Sequence, residues 1–139
     1  MEKIVVAIDG SEFANKGLEE AIKIAKKFNS KIYLIYVGEP IDFEEESCAE
    51  AYKNATENYA RKILGEARQR IEKEGLEAEE IFCWGRAAEE IVYHASKIGA
   101  QLIVIGSRGK AVGRFKRMLI GSVSKEVAER AECSVLIVK

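Results

Sequence analysis

Glycines and donor side chains are concentrated in the segment "IGSRGKAVGRFKRMLIGSVSKEV", which runs from Ile105 to Val127. It contains four of the chain's eleven glycines, six basic residues and three serines. Glycine allows backbone N–H groups to approach an anion closely, and a helix that begins nearby adds about half a positive charge at its N-terminus. Backbone, hydroxyl and cationic donors of this kind favour the binding of a polyphosphate.

The segment carries two kinds of side-chain donor, hydroxyl groups and cations. Gly121 and Ser122 open a run with helical spacing, and the hydroxyl groups of Ser122 and Ser124 can donate hydrogen bonds. The other donors are the cations Arg108, Lys110, Arg114, Lys116 and Arg117. The segment matches neither G-x-x-x-x-G-K-[ST] nor G-x-G-x-x-G, so composition alone leaves a long solvated basic loop as an equal alternative.

Short apolar runs alternate with helical patterns along the chain, and they predict the elements that position this segment. Strands are predicted at 3–8, 31–37, 77–84, 101–106 and 133–139, with four helices between them. This alternation is typical of a three-layer α/β fold, an open parallel sheet with helices on both faces. Five strands favour the flavodoxin-like order 3-2-1-4-5. The chain has no linker or internal repeat, so residues 1–139 are predicted to form one domain.

The predicted topology places an acidic residue beside the glycine-rich segment. Ligands of an open parallel sheet bind beyond the carboxyl ends of the strands, where the strand order reverses. In the order 3-2-1-4-5 that point lies between the first strand, which ends at Asp9, and the fourth, which ends at Gly106. Asp9 could therefore hold a ribose hydroxyl, or a metal ion bound to the phosphates.

At these residues the sequence resembles the universal stress protein family over nearly its whole length. The stretches "IVVAIDGSE" and "IYLIYV" look like the first two strands of that family. "GRAAEEIVYHA" is similar to its third helix, with Ala87 in place of a common proline, and "AQLIVIGSRG" and "CSVLIV" resemble its last two strands. ATP-binding members carry G-x2-G-x9-G-[ST], and Gly106, Gly109 and Gly121-Ser122 match both ends of that motif.

The resemblance implies the adenine-nucleotide alpha-hydrolase-like version of this fold and a site for ATP with Mg²⁺ or Mn²⁺. In that site, Asp9 would face the metal ion that is bound to the phosphates. The adenosine would lie against Ala7, Asp9 and Val37, with Val37 acting through its backbone. The ribose and phosphates would lie beside Gly106, Arg108 and Gly109, and the phosphates would be bound by Gly121, Ser122, Val123 and Ser124.

The middle of the segment departs from the family pattern. Eleven residues, not nine, separate Gly109 from Gly121, and they include a third glycine, Gly113. Three functions therefore stay open. The leading hypothesis is an ATP-binding stress or signalling module in which binding is the functional event. The alternatives are a dimerisation and interaction module that binds no nucleotide, and a slow ATPase; no strong general base is evident for fast phosphoryl transfer.

Composition narrows the partners and the compartment. The net charge of −1 gives no overall attraction to nucleic acid or to anionic membranes. No apolar run approaches the ~20 residues of a membrane helix. The chain begins directly with a strand pattern, "MEKIVVAIDG", without a signal-peptide pattern. We therefore expect a soluble cytoplasmic protein that binds neither nucleic acid nor a membrane.

The remaining reactive and aromatic residues have structural interpretations. The three cysteines form no C-x-x-C pair, and this scattered, odd-numbered set argues against both a disulfide framework and a zinc site. His94, the only histidine, is predicted to be a surface or boundary residue of the third helix. Trp84 is predicted to serve packing or a dimer contact, and Tyr52 and Tyr59 are predicted to be core residues of the second helix.

The last strand, "SVLIVK", is apolar and is predicted at an edge of the sheet. An uncovered edge favours pairing with another chain. Because related proteins commonly dimerise through this strand, the resemblance implies a homodimer with two-fold symmetry.

Overall fold

The computed structural model of the protein describes residues 1–109 and 120–139, which form nine elements. The strands are β1 (Lys3–Ala7), β2 (Lys31–Gly38), β3 (Ala78–Trp84), β4 (Leu102–Gly106) and β5 (Ser134–Val138). The helices are α1 (Glu12–Phe28), α2 (Glu46–Lys73), α3 (Ala87–Ile98) and α4 (Ser122–Arg130). The predicted elements are confirmed, with boundaries that differ by one or two residues.

The strands form one parallel sheet with the order β3-β2-β1-β4-β5. The central strand β1 pairs with β2 on one side, where Ala7 lies opposite Ile35, and with β4 on the other, where Val6 lies opposite Val104. The predicted α/β fold class and strand order are therefore confirmed. The order reverses between β1 and β4, at the position where the site was predicted.

Local sequence signals explain where the helices begin and end. Ser11 caps α1 because its Oγ accepts a hydrogen bond of 3.1 Å from the N–H of Ala14. The same helix ends at Asn29, whose φ of 53° is left-handed. Helix α3 ends at Gly99 with a φ of 76°, a conformation that glycine adopts without steric cost.

Each face of the sheet carries its own hydrophobic core. Helices α1 and α2 cover one face, with Leu18, Ile22, Leu64 and Ile71 packed on side chains of β1, β2 and β4. On the opposite face, Ile91 and Ala95 of α3 and Val127 of α4 pack against another set of strand side chains. Burial on both faces explains why the central strands β1 and β4 are apolar runs, whereas the edge strand β3 is only half buried and contains Glu79 and Glu80.

An aromatic cluster covers the β2–β3 side of the first face, and two predictions about it are wrong. Tyr52 and Tyr59 are half buried, not core residues. The Tyr52 hydroxyl donates a hydrogen bond of 2.7 Å to the carbonyl of Glu39, which keeps the phenol near the surface. The Tyr52 ring also contacts the Trp84 ring, with centroids 6.1 Å apart. The packing interpretation of Trp84 is thus confirmed.

None of the described helices combines the length and the apolar composition of a membrane-spanning segment.

Candidate functional site

A cleft of about 500 Å³ opens beyond the carboxyl ends of β1 and β4. The cleft is lined by all ten residues that were predicted to bind a nucleotide, and these residues come from four separate parts of the chain. They are Ala7, Asp9, Val37, Gly106, Arg108, Gly109, Gly121, Ser122, Val123 and Ser124. The structure therefore brings the predicted residues together. Their role in binding a nucleotide stays a prediction.

One end of the cleft is apolar. Ile35, Ile91 and Ile105 are buried side chains of three different elements, and each contributes to this wall. Ala7 and Val37, at the ends of β1 and β2, extend the wall and are only half buried. A flat, weakly polar group such as a purine base would fit this surface, because it could remove the exposed apolar atoms from water.

The other end of the cleft is formed by the N-terminus of α4. The first hydrogen bond within this helix runs from the N–H of Lys125 to the carbonyl of Gly121, with a length of 3.1 Å. The N–H groups of Ser122, Val123 and Ser124 precede it and have no carbonyl partner within the helix. Gly121, at the N-cap, has no side chain that could accept from them. Three backbone donors and the positive end of the helix dipole therefore meet at the cleft.

Glycines hold the backbone of this end close together. The N–H of Gly121 donates a hydrogen bond of 2.6 Å to the carbonyl of Ser107, which ties the start of α4 to the end of β4. A Cβ added at Gly121 would lie 3.3 Å from that carbonyl oxygen, and a Cβ added at Gly109 would lie 3.1 Å from Oδ2 of Asp9. Side chains at either position would crowd the cleft, so glycine keeps the backbone accessible to a ligand.

Among the charged residues that line the cleft, Asp9 and Arg108 have opposite charges and defined side-chain contacts. The Oδ1 atom of Asp9 accepts a hydrogen bond of 2.8 Å from the N–H of Ser11, which fixes the carboxylate at the end of β1. The guanidinium group of Arg108 lies over the ring of Phe13, 5.8 Å from its centroid. Contact with the ring holds the cation near the mouth of the cleft, where it can contribute to the binding of an anion.

Ser124 differs from the other predicted donors because its hydroxyl group is used within the protein. Its side chain is buried, and Oγ lies 3.1 Å from the carbonyl oxygens of Ser107 and Gly121. A hydroxyl has one hydrogen to donate, and here it goes to the backbone. Ser124 therefore holds the start of α4 against the end of β4 and faces the cleft chiefly through its backbone. The hydroxyl of Ser122, in contrast, is on an exposed residue.

Some cleft residues were missed, and some predicted residues lie outside the described ranges. Glu39, Ala87 and Ile91 also line the cleft. Ala87 follows the glycine turn before α3, a sequence signal that could have placed it there. The sequence also predicts further phosphate contacts and a lengthened loop in a part of the chain that lies outside the described residues, namely at Lys110, Gly113, Arg114, Lys116 and Arg117.

Comparison with known proteins agrees with this architecture. The model of the universal stress protein family matches residues 1–139, which is the whole chain. The chain belongs to the universal stress protein family. It is similar to the universal stress protein YxiE of Bacillus subtilis, with 35% identity over 99% of this chain and 98% of that protein. It is 34% identical to the universal stress protein MJ0531 of Methanocaldococcus jannaschii, over 99% of this chain and 82% of that protein.

Solved structures of similar proteins share the fold. The protein MJ0577 is 30% identical and superimposes with a TM-score of 0.86 over 99% of this chain and 95% of its own. A universal stress protein solved in complex with cAMP is 27% identical, with a TM-score of 0.76 over 99% and 97%. The universal stress protein of Archaeoglobus fulgidus, solved in complex with dAMP, is also 27% identical, with a TM-score of 0.70 over 100% and 98%. Two of the solved structures that are similar to this chain are therefore complexes with adenine nucleotides.

Proposed function

We propose that this universal stress protein binds an adenine nucleotide, specifically ATP with Mg²⁺ or Mn²⁺, in the cleft between β1 and β4. Binding would be the functional event, and the nucleotide-bound state would act as a stress or signalling state in the cytoplasm. The observation that carries the proposal is that all ten predicted residues, from four parts of the chain, line one cleft. That cleft has an apolar wall and a helix N-terminus whose N-cap, Gly121, makes no side-chain capping hydrogen bond.

The two ends of the cleft correspond to the two chemical parts of a nucleotide. The base would lie against Ala7 and Val37, and the phosphates would accept hydrogen bonds from the backbone N–H groups at Ser122 and Val123. Asp9 also lines the cleft, and its carboxylate could accept hydrogen bonds from ribose hydroxyls or face a phosphate-bound cation. The cleft volume lies in the range of small-molecule sites, about 300–1,000 Å³.

The relatives seen with cAMP and dAMP support the adenine part of the proposal, because they share the fold over nearly the full chain. The proposal that the ligand is a triphosphate rests on the motif of ATP-binding members. Gly106 and Gly109 match its first part, and Gly121-Ser122 matches its last part. The same motif carries the observation that favours a second function. The eleven-residue spacing between Gly109 and Gly121 is also compatible with an interaction module that has lost the nucleotide.

Calorimetric titration of the purified protein tests the proposal. We expect one Mg-ATP to bind per chain, AMP to bind in competition with it, and adenosine to bind more weakly because the phosphate donors stay unused. Asp9→Asn should weaken ATP binding about tenfold or more, since hydrogen bonds to charged groups contribute roughly 1.5–3 kcal/mol. The amide oxygen of Asn can still accept from Ser11, so the turn should persist.

Asp42→Asn is the matched control, because Asp42 is the only other aspartate in the chain and is an exposed residue that does not line the cleft. It should bind ATP like the wild type. Equal affinities of the two variants would contradict the role given to Asp9, and the absence of heat with every nucleotide would favour the interaction module. Release of phosphate over hours, lost in Asp9→Asn, would instead support the slow ATPase.

We also propose that the protein is a homodimer with two-fold symmetry, formed by pairing of β5 with its copy. Strand β5 ends the sheet order on one side, and its sequence between Ser134 and Val138 is apolar. An exposed edge with this composition favours strand pairing between chains. Sedimentation at micromolar concentration should give a dimer mass. A monomer mass alone would contradict the proposal.

A further inference from the structure

Three potential metal ligands meet at the junction of β3 and α3. They are the thiol of Cys83, the carboxylate of Glu90 and the imidazole of His94, and their donor atoms all lie within 4.8 Å of one another. Glu90 and His94 are four residues apart on α3, so they project from the same face of the helix. Cys83 lies near the end of β3, and the turn at Gly85 brings that strand end to the helix.

The spacing of these donors is close to what one metal ion requires. Metal–ligand distances of about 2.0–2.3 Å place two ligands of a tetrahedral ion roughly 3.3–3.6 Å apart. The Nε2 atom of His94 already lies 3.5 Å from Oε2 of Glu90. The thiol therefore needs only side-chain adjustment to complete a three-ligand set. The carboxylate is also confined on its other side, because a Cβ at Gly85 would lie 2.7 Å from Oε1 of Glu90.

The cluster is sheltered but reachable. The side chains of His94 and Glu90 are 24% and 29% exposed. Cys83 is also half buried. A divalent cation held by all three groups would bind the Cys83 sulfur as a thiolate, and the thiol proton would be released to solvent.

From this geometry we propose that Cys83, Glu90 and His94 form a binding site for Zn²⁺ or a similar transition-metal ion. Thiolate, imidazole and carboxylate are the ligand types that Zn²⁺ accepts, and a set with sulfur and nitrogen disfavours Mg²⁺ and Ca²⁺. Three protein ligands leave a fourth position for water or another ligand. The site is separate from the proposed nucleotide cleft, although Cys83 pairs in register with Val37, which lines that cleft.

Common zinc-site motifs do not identify this site, because its ligands have the spacing C-x6-E-x3-H and a turn lies between the cysteine and the glutamate. The spacing of the cysteines predicts no zinc site because none of the three lies in a C-x-x-C pair. The structure shows that one cysteine can instead be joined by two residues of the adjacent helix.

The test is a titration of tag-free, reduced protein with Zn²⁺ in competition with a chromophoric chelator, without nucleotide so that no cation enters through phosphates. We expect one Zn²⁺ per chain and no competition by Mg²⁺. With Co²⁺ as the probe, a thiolate-to-cobalt charge-transfer absorption should appear. His94→Gln and Glu90→Gln should each weaken Zn²⁺ binding at least about tenfold, and Cys83→Ser should remove the charge-transfer band.

Cys133→Ser is the matched control, because Cys133 is also a half-buried cysteine but is not part of the cluster. It should retain both the affinity and the band. If Cys83→Ser does not fold, the Zn²⁺ affinities of His94→Gln and Glu90→Gln still test the proposal, because both residues are partly exposed on α3. Failure of the wild type to bind Zn²⁺ would overturn the proposal, as would unchanged affinity in His94→Gln and Glu90→Gln or loss of the band in Cys133→Ser.

Discussion

Gly106→Ala should destabilise the protein by about 1–3 kcal/mol, the usual cost of forcing an extra methyl group into a packed interior. Gly106 is buried at the end of β4, where α1 crosses the sheet. A Cβ at this position would lie 2.7 Å from the carbonyl carbon of Phe13 and 2.9 Å from its carbonyl oxygen. Because these are backbone atoms, the clash can be relieved only if helix and strand move apart. Urea unfolding monitored by circular dichroism gives the free energy of unfolding.

Gly17→Ala is a control with the same chemical change and the opposite expected sign. Gly17 is also buried in the contact between α1 and β4, but a Cβ there would meet its nearest atoms at 3.6–3.8 Å, which is ordinary contact. Alanine in a helix interior is favoured over glycine by roughly 0.5–1 kcal/mol, so this variant should be more stable than the wild type. Two variants of equal stability would contradict the described packing of α1 on β4.

Ser122→Asp should weaken ATP binding at least about tenfold and stabilise the free protein. Ser122 is the first residue of α4, and a carboxylate there interacts favourably with the helix dipole, by about 0.3–1 kcal/mol. The same carboxylate would occupy the region proposed for the phosphates and repel them, and about 1.4 kcal/mol of repulsion already corresponds to tenfold in affinity. Calorimetry with ATP and thermal unfolding without it measure the two effects.

Ser122→Asn separates charge from size, since Asn and Asp differ little in shape. The Asn variant should bind ATP within a few-fold of the wild type, and adenosine should bind both variants alike because it has no phosphate. If the Asp and Asn variants bound ATP equally well, the phosphates would not lie at the N-terminus of α4.

Much of the fold could be predicted from the sequence because its signals are local. Continuous apolar runs identify strands buried on both faces, and Ser11 and Gly99 mark helix ends. The alternation of strands and helices predicts a doubly wound parallel sheet, and 3-2-1-4-5 is one of the few strand orders that such sheets adopt. The wrong assignment of Tyr52 and Tyr59 has a physical cause. Helical periodicity gives the face of a helix, whereas the buried residues of α2 run from Ala60 to Ile71, in its second half.

The candidate site was partly predictable for the same reasons. The topology and the donor pattern placed Asp9 beside the glycine-rich segment and the start of α4, and the family resemblance added Ala7 and Val37. The use of the Ser124 hydroxyl could not be foreseen, because its acceptor at Ser107 is seventeen residues away and depends on how β4 meets α4. The cluster around Glu90 was hidden in the same way, since it requires the geometry of the β3–α3 turn.

Titration of ¹⁵N-labelled protein with Mg-ATP, followed by amide chemical shifts, tests the central claim most directly because it reports binding and location together. The account predicts saturable changes that are largest for the amides of Ser122 and Val123 and for Gly109, with changes at Ala7 and Val37 from the base. Mg²⁺ alone should not reproduce them. No change on addition of ATP, or changes confined to residues away from the ends of β1 and β4, would contradict the proposal that this cleft binds an adenine nucleotide.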